Sequence, residues 1–149
     1  MAFASVLIDT YNHEDFIERA VTSVLEQDFR ASDREVIVVD DGSTDRTREI
    51  LRKFQPHIRI LNKRNGGQAS AFNAGIPGAA GEIVAFLDGD DWWAQGKLQK
   101  IAEAFSADLG EPWHLDSQGL RQSPCLRKPR LQMSTVQIGR GRCRDAIAR

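Results

Sequence analysis

The chain has 149 residues, of which 41% are hydrophobic and 28% are charged, as in an ordinary soluble domain. The formal net charge of −1 argues against binding dominated by attraction to nucleic acid or to a membrane surface, so we expect no nucleic-acid partner. No apolar run approaches the roughly 20 residues of a transmembrane helix, and the N-terminus lacks the features of a signal peptide. We therefore expect no transmembrane segment and a cytoplasmic location.

The first 105 residues alternate short apolar runs with segments of helical periodicity. The predicted strands cover residues 5–8, 36–39, 58–61 and 83–87, and the third alternates in polarity as a strand with an exposed face or an edge strand would. The predicted helices cover residues 14–27, 68–76 and 95–105, together with a helix that Ser43 caps and Pro56 ends. Strands joined by helices need crossover connections, so the pattern predicts an α/β fold: a mostly parallel sheet with helices on both faces.

The pattern changes after residue 108. Residues 1–110 carry 12 Lys and Arg against 18 Asp and Glu, whereas residues 111–149 carry 8 against 3 and lack periodicity. We predict a folded domain over 1–108 and a basic, aperiodic tail over 109–149 that is disordered or, alternatively, forms a short helix or hairpin on the domain. Cysteine also first appears in this tail, and the three changes together suggest a frameshift or a truncated gene model near residue 108.

Polar clusters follow three of the predicted strands. Ligands of parallel sheets bind beyond the carboxyl ends of the strands, so we expect the clusters to converge at one edge of the sheet. The clusters are Asp9-Thr10-Tyr11-Asn12, Asp40-Asp41-Gly42-Ser43-Thr44-Asp45 and Asp88-Gly89-Asp90-Asp91.

The Asp88-Gly89-Asp90-Asp91 cluster has the composition of a divalent-metal site. Three carboxylates within four residues repel one another unless a cation compensates, and Gly89 permits the tight turn that would present them together. Mg²⁺ and Mn²⁺ prefer oxygen ligands, and Mg²⁺ usually combines one or two carboxylates with phosphate oxygens and water. The alternative is a solvated acidic turn at the end of a strand.

The other candidate residues each have a structural and a functional interpretation. Asp40 and Asp41 are ordinary turn and cap residues, or one of them accepts a hydrogen bond from a nucleobase N–H. Tyr11 packs against the domain or stacks on a base. The 65–67 segment, Asn-Gly-Gly, is a turn whose bare backbone could also approach a ribose or phosphate, with Lys63 and Arg64 nearby. The three histidines share no metal-ligand spacing and are interpreted as surface residues: His13, His57 and His114.

Taken together, five motifs resemble the family 2 glycosyltransferases across about residues 5–105, and their order and intervals match. This resemblance implies the glycosyltransferase A fold, a Rossmann-like fold of the nucleotide-diphospho-sugar transferase type. It also implies a UDP-, GDP- or dTDP-sugar donor, Mg²⁺ or Mn²⁺ as cofactor, and sugar transfer with inversion at the anomeric carbon. The motifs occupy residues 6–12, 38–45, 65–67, 73–75 and 86–91.

The resemblance also assigns roles by position. Thr10 and Tyr11 would lie along the nucleoside, and Asp41 would accept a hydrogen bond from the base. Asp88 would lie near the ribose and the metal, and Asp90 would be the principal metal ligand. Asp9 stands where the family usually has Pro or Thr, which puts an extra carboxylate near the nucleotide, and its role is left open.

The family's second half binds the acceptor and supplies a carboxylate base, and the sequence offers no equivalent. Only 58 residues follow Asp91, and the carboxylates Glu111, Asp116 and Asp145 are isolated among them. We therefore assign no catalytic residue, leave the acceptor unspecified and expect little or no transfer activity. The alternatives are a non-catalytic module that binds a nucleotide diphosphate, and a nucleotidyltransferase. The latter would normally show a Gly-rich loop with Arg and Lys, which residues 5–12 lack.

Overall fold

The computed structural model describes residues 4–107 and three short strands at 113–116, 119–122 and 136–137. Strands and helices alternate along the first of these ranges, and two short 3-10 helices occupy Ala31–Asp33 and Ile76–Gly78. The strands are β1 (Ala4–Thr10), β2 (Arg34–Asp40), β3 (Arg59–Asn62) and β4 (Ile83–Asp88). The helices are α1 (Ile17–Leu25), α2 (Thr47–Arg52), α3 (Gln68–Gly75) and α4 (Lys97–Ala107).

The four strands form one parallel sheet in the order β3-β2-β1-β4, with β1 and β2 inside. Every connection is therefore a crossover through a helix, as the alternation in the sequence predicts. β3 is an edge strand, in agreement with its alternating polarity. The predicted α/β class is confirmed.

The two faces of the sheet are buried under different helices. Val6, Ile8 and Val38 belong to the larger apolar cluster, which contains the buried residues of α1, α2 and α4. Leu7 and Val39 point the other way, into a smaller cluster with Ala71 and Phe72 of α3. Because successive side chains of a strand alternate between faces, an uninterrupted apolar run is what a sheet covered on both sides requires.

The start of α2 differs from the sequence prediction. Ser43 was expected to cap this helix, but α2 begins at Thr47. The Ser43 N–H donates to Asp40 Oδ1 (3.0 Å), and its hydroxyl oxygen accepts from the backbone N–H of Asn12 (3.0 Å). Ser43 therefore joins two loops at the ends of strands instead of capping the helix.

Gln27 connects the end of α1 to the segment that precedes α4. Its side chain is buried, and its amide nitrogen donates to the carbonyl oxygens of Ser23 (2.9 Å) and Ala94 (3.0 Å). Its amide oxygen accepts from the backbone N–H of Leu98 (3.1 Å). One side chain thus satisfies three backbone groups from two parts of the chain.

We expect Gln27→Ala to lower the free energy of unfolding by about 3 kcal/mol, because buried backbone groups lose their partners and a small cavity forms. Urea unfolding followed by circular dichroism measures this change. Gln55→Ala is the matched control, since Gln55 is exposed, and it should change stability by less than about 0.5 kcal/mol. Equal stability of both variants would contradict the proposed connection.

Beyond residue 107, the structure describes a small antiparallel sheet of three strands: β5 (Trp113–Asp116), β6 (Gly119–Gln122) and β7 (Val136–Gln137). Their order in the sheet is β6-β5-β7. These strands are too short for periodicity to reveal in the sequence. The rest of the predicted tail, and the disorder expected for it, lie outside the described residues. The boundary at residue 108 and the frameshift stay predictions, and translating the DNA in the other two frames would test the latter.

None of the helices in the described part of the chain is long and apolar enough to cross a membrane. The cytoplasmic location stays a prediction.

Candidate functional site

The carboxyl ends of β1, β2 and β4 bring the three polar clusters to one edge of the sheet. Asp9 is the register partner of Asp88 in the β1–β4 pair, and Thr10 is the partner of Asp40 in the β1–β2 pair. In a parallel sheet, register partners have side chains on the same face. Asp9 and Asp88 therefore lie side by side on the face that α3 covers.

Gln68, the first residue of α3, bridges this carboxylate pair. Its amide nitrogen donates to Asp88 Oδ1 (2.8 Å) and, at longer distance, to Asp9 Oδ1 (3.4 Å). Burial, followed by repulsion from Asp88, raises the pKa of Asp9 to about 7. Burial and the neighbouring Asp91 and Asp90 also raise the pKa of Asp88. The edge thus concentrates negative charge that a cation would stabilise.

Asp90 and Asp91 extend this charge into solvent. Both are exposed, and the backbone N–H of Asp91 donates to the Asp88 carbonyl (3.0 Å), which closes a tight turn. Gly89 is needed because the turn lies directly on β1. A Cβ at this position would come within 2.7 Å of both the Asp9 carbonyl oxygen and His13 Nδ1. The role predicted for Gly89 therefore includes close packing as well as the turn.

The residues at this turn fit a metal that is bound together with a phosphate ligand. Among the described residues, no group of three or more His, Cys, Asp or Glu side chains could hold a metal ion alone. Mg²⁺, however, usually takes one or two carboxylates, and substrate phosphates with water complete its shell. Exposed Asp90 and half-buried Asp88 supply that number of carboxylates, so the donor set suits a metal–diphosphate complex rather than a cage of protein ligands.

Asp40 and Asp41 have separate functions, although they are neighbours in the sequence. Asp40 is fully buried, accepts from the Ser43 N–H (3.0 Å) and pairs with the guanidinium of Arg48. It therefore holds the β2–α2 connection together. Of the two interpretations, the structural one applies to Asp40.

Asp41 instead holds the 63–67 loop. Its Oδ2 accepts from the N–H groups of Gly66 (3.0 Å) and Gly67 (2.6 Å), and Lys63 Nζ bonds to Oδ1. Burial raises the pKa of Asp41, but the hydrogen bonds from Lys63 and from the two glycine N–H groups outweigh burial and hold it below its ordinary value. The carboxylate is therefore ionised and fixed beside the Asn-Gly-Gly turn, and a base N–H would have to share it with these donors.

The loop that follows β1 is tied to the loop that follows β2. Asn12 Oδ1 accepts from the backbone N–H of Thr44 (2.8 Å), and the His13 N–H donates to Thr47 Oγ1 (3.0 Å). The Glu14 N–H donates to Asp45 Oδ2 (3.1 Å). Tyr11 is the first residue of this tied loop, and 44% of its surface is exposed, which leaves its ring available to a ligand.

Thr10 is the last residue of β1, on the opposite face of the sheet from Asp9. It has no exposed surface, and within the described residues its hydroxyl has no hydrogen-bond partner. Contact between the Thr10 side chain and a nucleoside would require its cover to move. His13, interpreted from the sequence as a surface residue, is partly exposed, but its Nδ1 is buried against the Gly89 turn and has no hydrogen-bond partner among the described residues.

The sequence patterns did not single out Gln68, and they placed Lys63 only near the 65–67 turn, not in contact with Asp41. Gln68 follows Gly67 and opens the helix that packs on the face of Asp9 and Asp88, so its place in the chain was the available signal. Lys63 lies one residue beyond β3, and its backbone N–H donates to the Asp40 carbonyl (3.0 Å). In both cases the contact depends on how the strands are ordered, which periodicity does not reveal.

Comparisons with known proteins agree with this architecture. The model of the family described as glycosyl transferase family 2 matches residues 5–110. An uncharacterized glycosyltransferase of Nostoc sp. is 45% identical over 118 residues, which cover 75% of this chain and 36% of that protein. The structure of Staphylococcus aureus TarS in complex with UDP-GlcNAc is 32% identical, with a TM-score of 0.67, over 74% of this chain and 33% of that one.

A third relative is the mannosyltransferase PcManGT of Pyrobaculum calidifontis, solved in complex with GDP-Man and Mn²⁺. It is 29% identical, with a TM-score of 0.66, over 74% of this chain and 34% of that one. The chain thus spans about a third of the length of these three relatives. Its parallel sheet, its five motifs and the match over residues 5–110 make the chain a member of glycosyl transferase family 2.

Proposed function

We propose that this chain is the donor-binding part of a glycosyltransferase that moves a sugar, with inversion, from a nucleotide-sugar to an acceptor hydroxyl. The observation that carries the proposal is the convergence of Asp41, Asp88 and Asp90 at one sheet edge, next to exposed Tyr11. The donor is a UDP-, GDP- or dTDP-sugar. TarS and PcManGT, which share the fold, were solved with UDP-GlcNAc and GDP-Man respectively, which supports a donor of this class.

Different parts of this sheet edge suit the base and the diphosphate of a nucleotide. Tyr11 offers an exposed ring for stacking on a base. The carboxylate of Asp41 is ionised but buried, and it would accept from a base N–H only by sharing its oxygens with Lys63 and the glycine N–H groups. The backbone turn at Gly66 and Gly67 lies beside Asp41, where absent side chains allow a ligand to approach closely. Asp88, the last residue of β4, would lie near the ribose and the metal, and Thr10 precedes Tyr11 at the end of β1.

Asp90 is the proposed principal ligand of Mg²⁺ or Mn²⁺, with Asp88 beside it. When bound, the ion would neutralise the charge that develops on the leaving diphosphate. The chain's own contribution is to hold the carboxylates in place. Gly89 packs the turn on β1, and Gln68 fixes the Asp88 side chain by its hydrogen bond (2.8 Å).

The acceptor side of the reaction needs a group that takes the proton of the hydroxyl as the new C–O bond forms. We assign no residue of this chain to that step. The proposal is therefore one of donor binding, and transfer by this chain alone is expected to be slight or absent.

Calorimetric titration of the full chain with UDP, GDP and dTDP, each with and without Mn²⁺, tests the proposal. We expect at least one nucleotide to bind and its affinity to rise by tenfold or more with Mn²⁺, on the order of 1.4 kcal/mol. Absence of metal-dependent binding for all three would overturn the site. A parallel assay for release of nucleotide from the matching nucleotide-sugar separates a glycosyltransferase from a non-catalytic binding module.

A further inference from the structure

A groove of about 470 Å³ runs along the exposed side of α1, next to the proposed donor edge. One wall is α1, and the other is the segment that follows Asp91. At Trp92 the groove comes close to the proposed donor site (Asp41, Asp88 and Asp90), because Trp92 directly follows Asp91 in the chain. The lining residues are Asp15, Glu18, Arg19, Thr22, Ser23, Glu26, Trp92, Trp93 and Gln95.

Hydrogen bonds hold the two walls in place. The backbone N–H of Trp93 donates to Ser23 Oγ (3.0 Å), and the Gln95 side-chain amide donates to the Glu26 carbonyl (2.9 Å). Gln27 adds its bond to the Ala94 carbonyl (3.0 Å) from beneath. The groove is therefore built before any ligand arrives, which lowers the entropy cost of binding.

Trp92 gives the groove an exposed aromatic surface. The residue is 51% exposed, although large apolar side chains in soluble domains are usually covered. The guanidinium carbon of Arg19 lies 3.3 Å from the centre of its ring, and this cation–π contact fixes the orientation of the indole. Because Arg19 covers one face of the ring, a ligand would stack on the other face. Trp93 is buried and forms the floor.

The polar lining of the groove carries mostly hydrogen-bond acceptors. Asp15, Glu18 and Glu26 contribute three carboxylates against the one guanidinium of Arg19, which leaves a formal charge of −2. Carboxylates accept hydrogen bonds from hydroxyl groups, and like charge disfavours an anionic ligand. The lining thus selects for a neutral ligand that is rich in hydroxyl donors.

We propose that this α1 groove is a carbohydrate-binding site for a neutral saccharide. A pyranose ring presents C–H groups on its flat faces, which pack on an indole by dispersion, and hydroxyls around its rim, which donate to carboxylates. The groove offers both kinds of surface in one place, next to the donor edge. We further infer that the bound saccharide is part of the sugar acceptor, and this step rests on the proposed function. Saccharide binding itself does not depend on the proposed function.

The test uses the full chain and three trisaccharides of similar size: chitotriose and maltotriose, which are neutral, and trigalacturonate, which is anionic. Binding is followed by calorimetry and by tryptophan fluorescence. We expect at least one neutral trisaccharide to bind saturably and trigalacturonate to bind more weakly. Absence of saturable binding by both neutral sugars, or preference for trigalacturonate, overturns the proposal.

Three variants locate the bound sugar. Trp92→Ala should weaken binding about tenfold by removing the stacking surface, and Trp92→Phe should restore most of it. Phe16→Ala is the matched control, because Phe16 is also 51% exposed but does not line the groove, and it should leave saccharide binding unchanged. Equal affinity of Trp92→Ala and the unmodified chain would exclude this groove.

Nucleotide titrations of the same variants separate this proposal from the donor site. Trp92→Ala should keep the Mn²⁺-dependent nucleotide affinity of the unmodified chain, since Trp92 is assigned no role in donor binding. Loss of saccharide binding with nucleotide binding intact supports the groove. If the unmodified chain binds nucleotide but no saccharide, the proposed saccharide site is wrong and the donor site is still supported. If it binds saccharide but no nucleotide, only the donor site is wrong.

Discussion

Asp90→Asn should weaken Mn²⁺-dependent nucleotide binding by roughly 100-fold, because a neutral amide replaces the exposed carboxylate proposed as the principal ligand of a hard cation. Without metal, the free energy of unfolding of this variant should equal that of the unmodified chain or be slightly higher. Repulsion from Asp90 contributes to the raised pKa of Asp88, and the variant removes that repulsion. Calorimetry with and without Mn²⁺, beside urea unfolding in the presence of a chelator, measures both quantities.

Two control variants test whether the effect is specific to the Asp90 carboxylate. Asp28→Asn removes an exposed carboxylate from the α1–β2 connection, at the opposite edge of the sheet, and should leave nucleotide binding unchanged. Asp91→Asn removes the neighbouring exposed carboxylate and should have a smaller effect than Asp90→Asn. If Asp91→Asn abolished metal dependence while Asp90→Asn kept it, the ligand assignment would move to Asp91.

Asp9→Asn should make the domain more stable than the unmodified chain above pH 7, by about 2 kcal/mol after allowance for partial solvent exposure. The folded chain raises the pKa of Asp9 from 3.8 to about 7, through burial and then through repulsion from Asp88. A carboxyl group with a raised folded pKa contributes its full stability below the unfolded pKa and loses it as the pH rises through the folded value. The unmodified chain should therefore lose stability between about pH 4 and pH 7 relative to the variant.

Urea unfolding of both proteins across this pH range, with chelator present, measures the difference. An Asn at position 9 keeps an oxygen that can accept from Gln68, so the comparison isolates the charge. Asp28→Asn, whose carboxyl is exposed, should follow the pH profile of the unmodified chain. If the free energy of unfolding of Asp9→Asn and of the unmodified chain changed with pH in the same way, ionisation of Asp9 would not destabilise the fold, and the prediction would be wrong.

Hydrophobic periodicity was sufficient to predict the fold class and the order of its elements. The runs that became β1, β2 and β4 are apolar at consecutive positions, which only a strand covered on both faces requires. The alternating run at β3 indicated one edge of the sheet, whereas β4, the other edge strand, has an uninterrupted apolar run. Helix ends were less predictable: Ser43 has the chemistry of a cap, and its use in joining two loops depends on where Asn12 lies in space.

By itself, the sequence determined that carboxylates lie at the carboxyl ends of β1, β2 and β4, and that Asp88, Asp90 and Asp91 share one turn. Those features are local, and local backbone preferences and spacing decide them. Only the tertiary structure decided that Asp9 lies beside Asp88 and that Gln68 bonds to both. It also decided that Asp41, and not Asp40, accepts from the glycine turn. Finally, it placed Trp92 in a groove along α1. These contacts join residues distant in the chain, and they depend on strand order and register, which no local pattern contains.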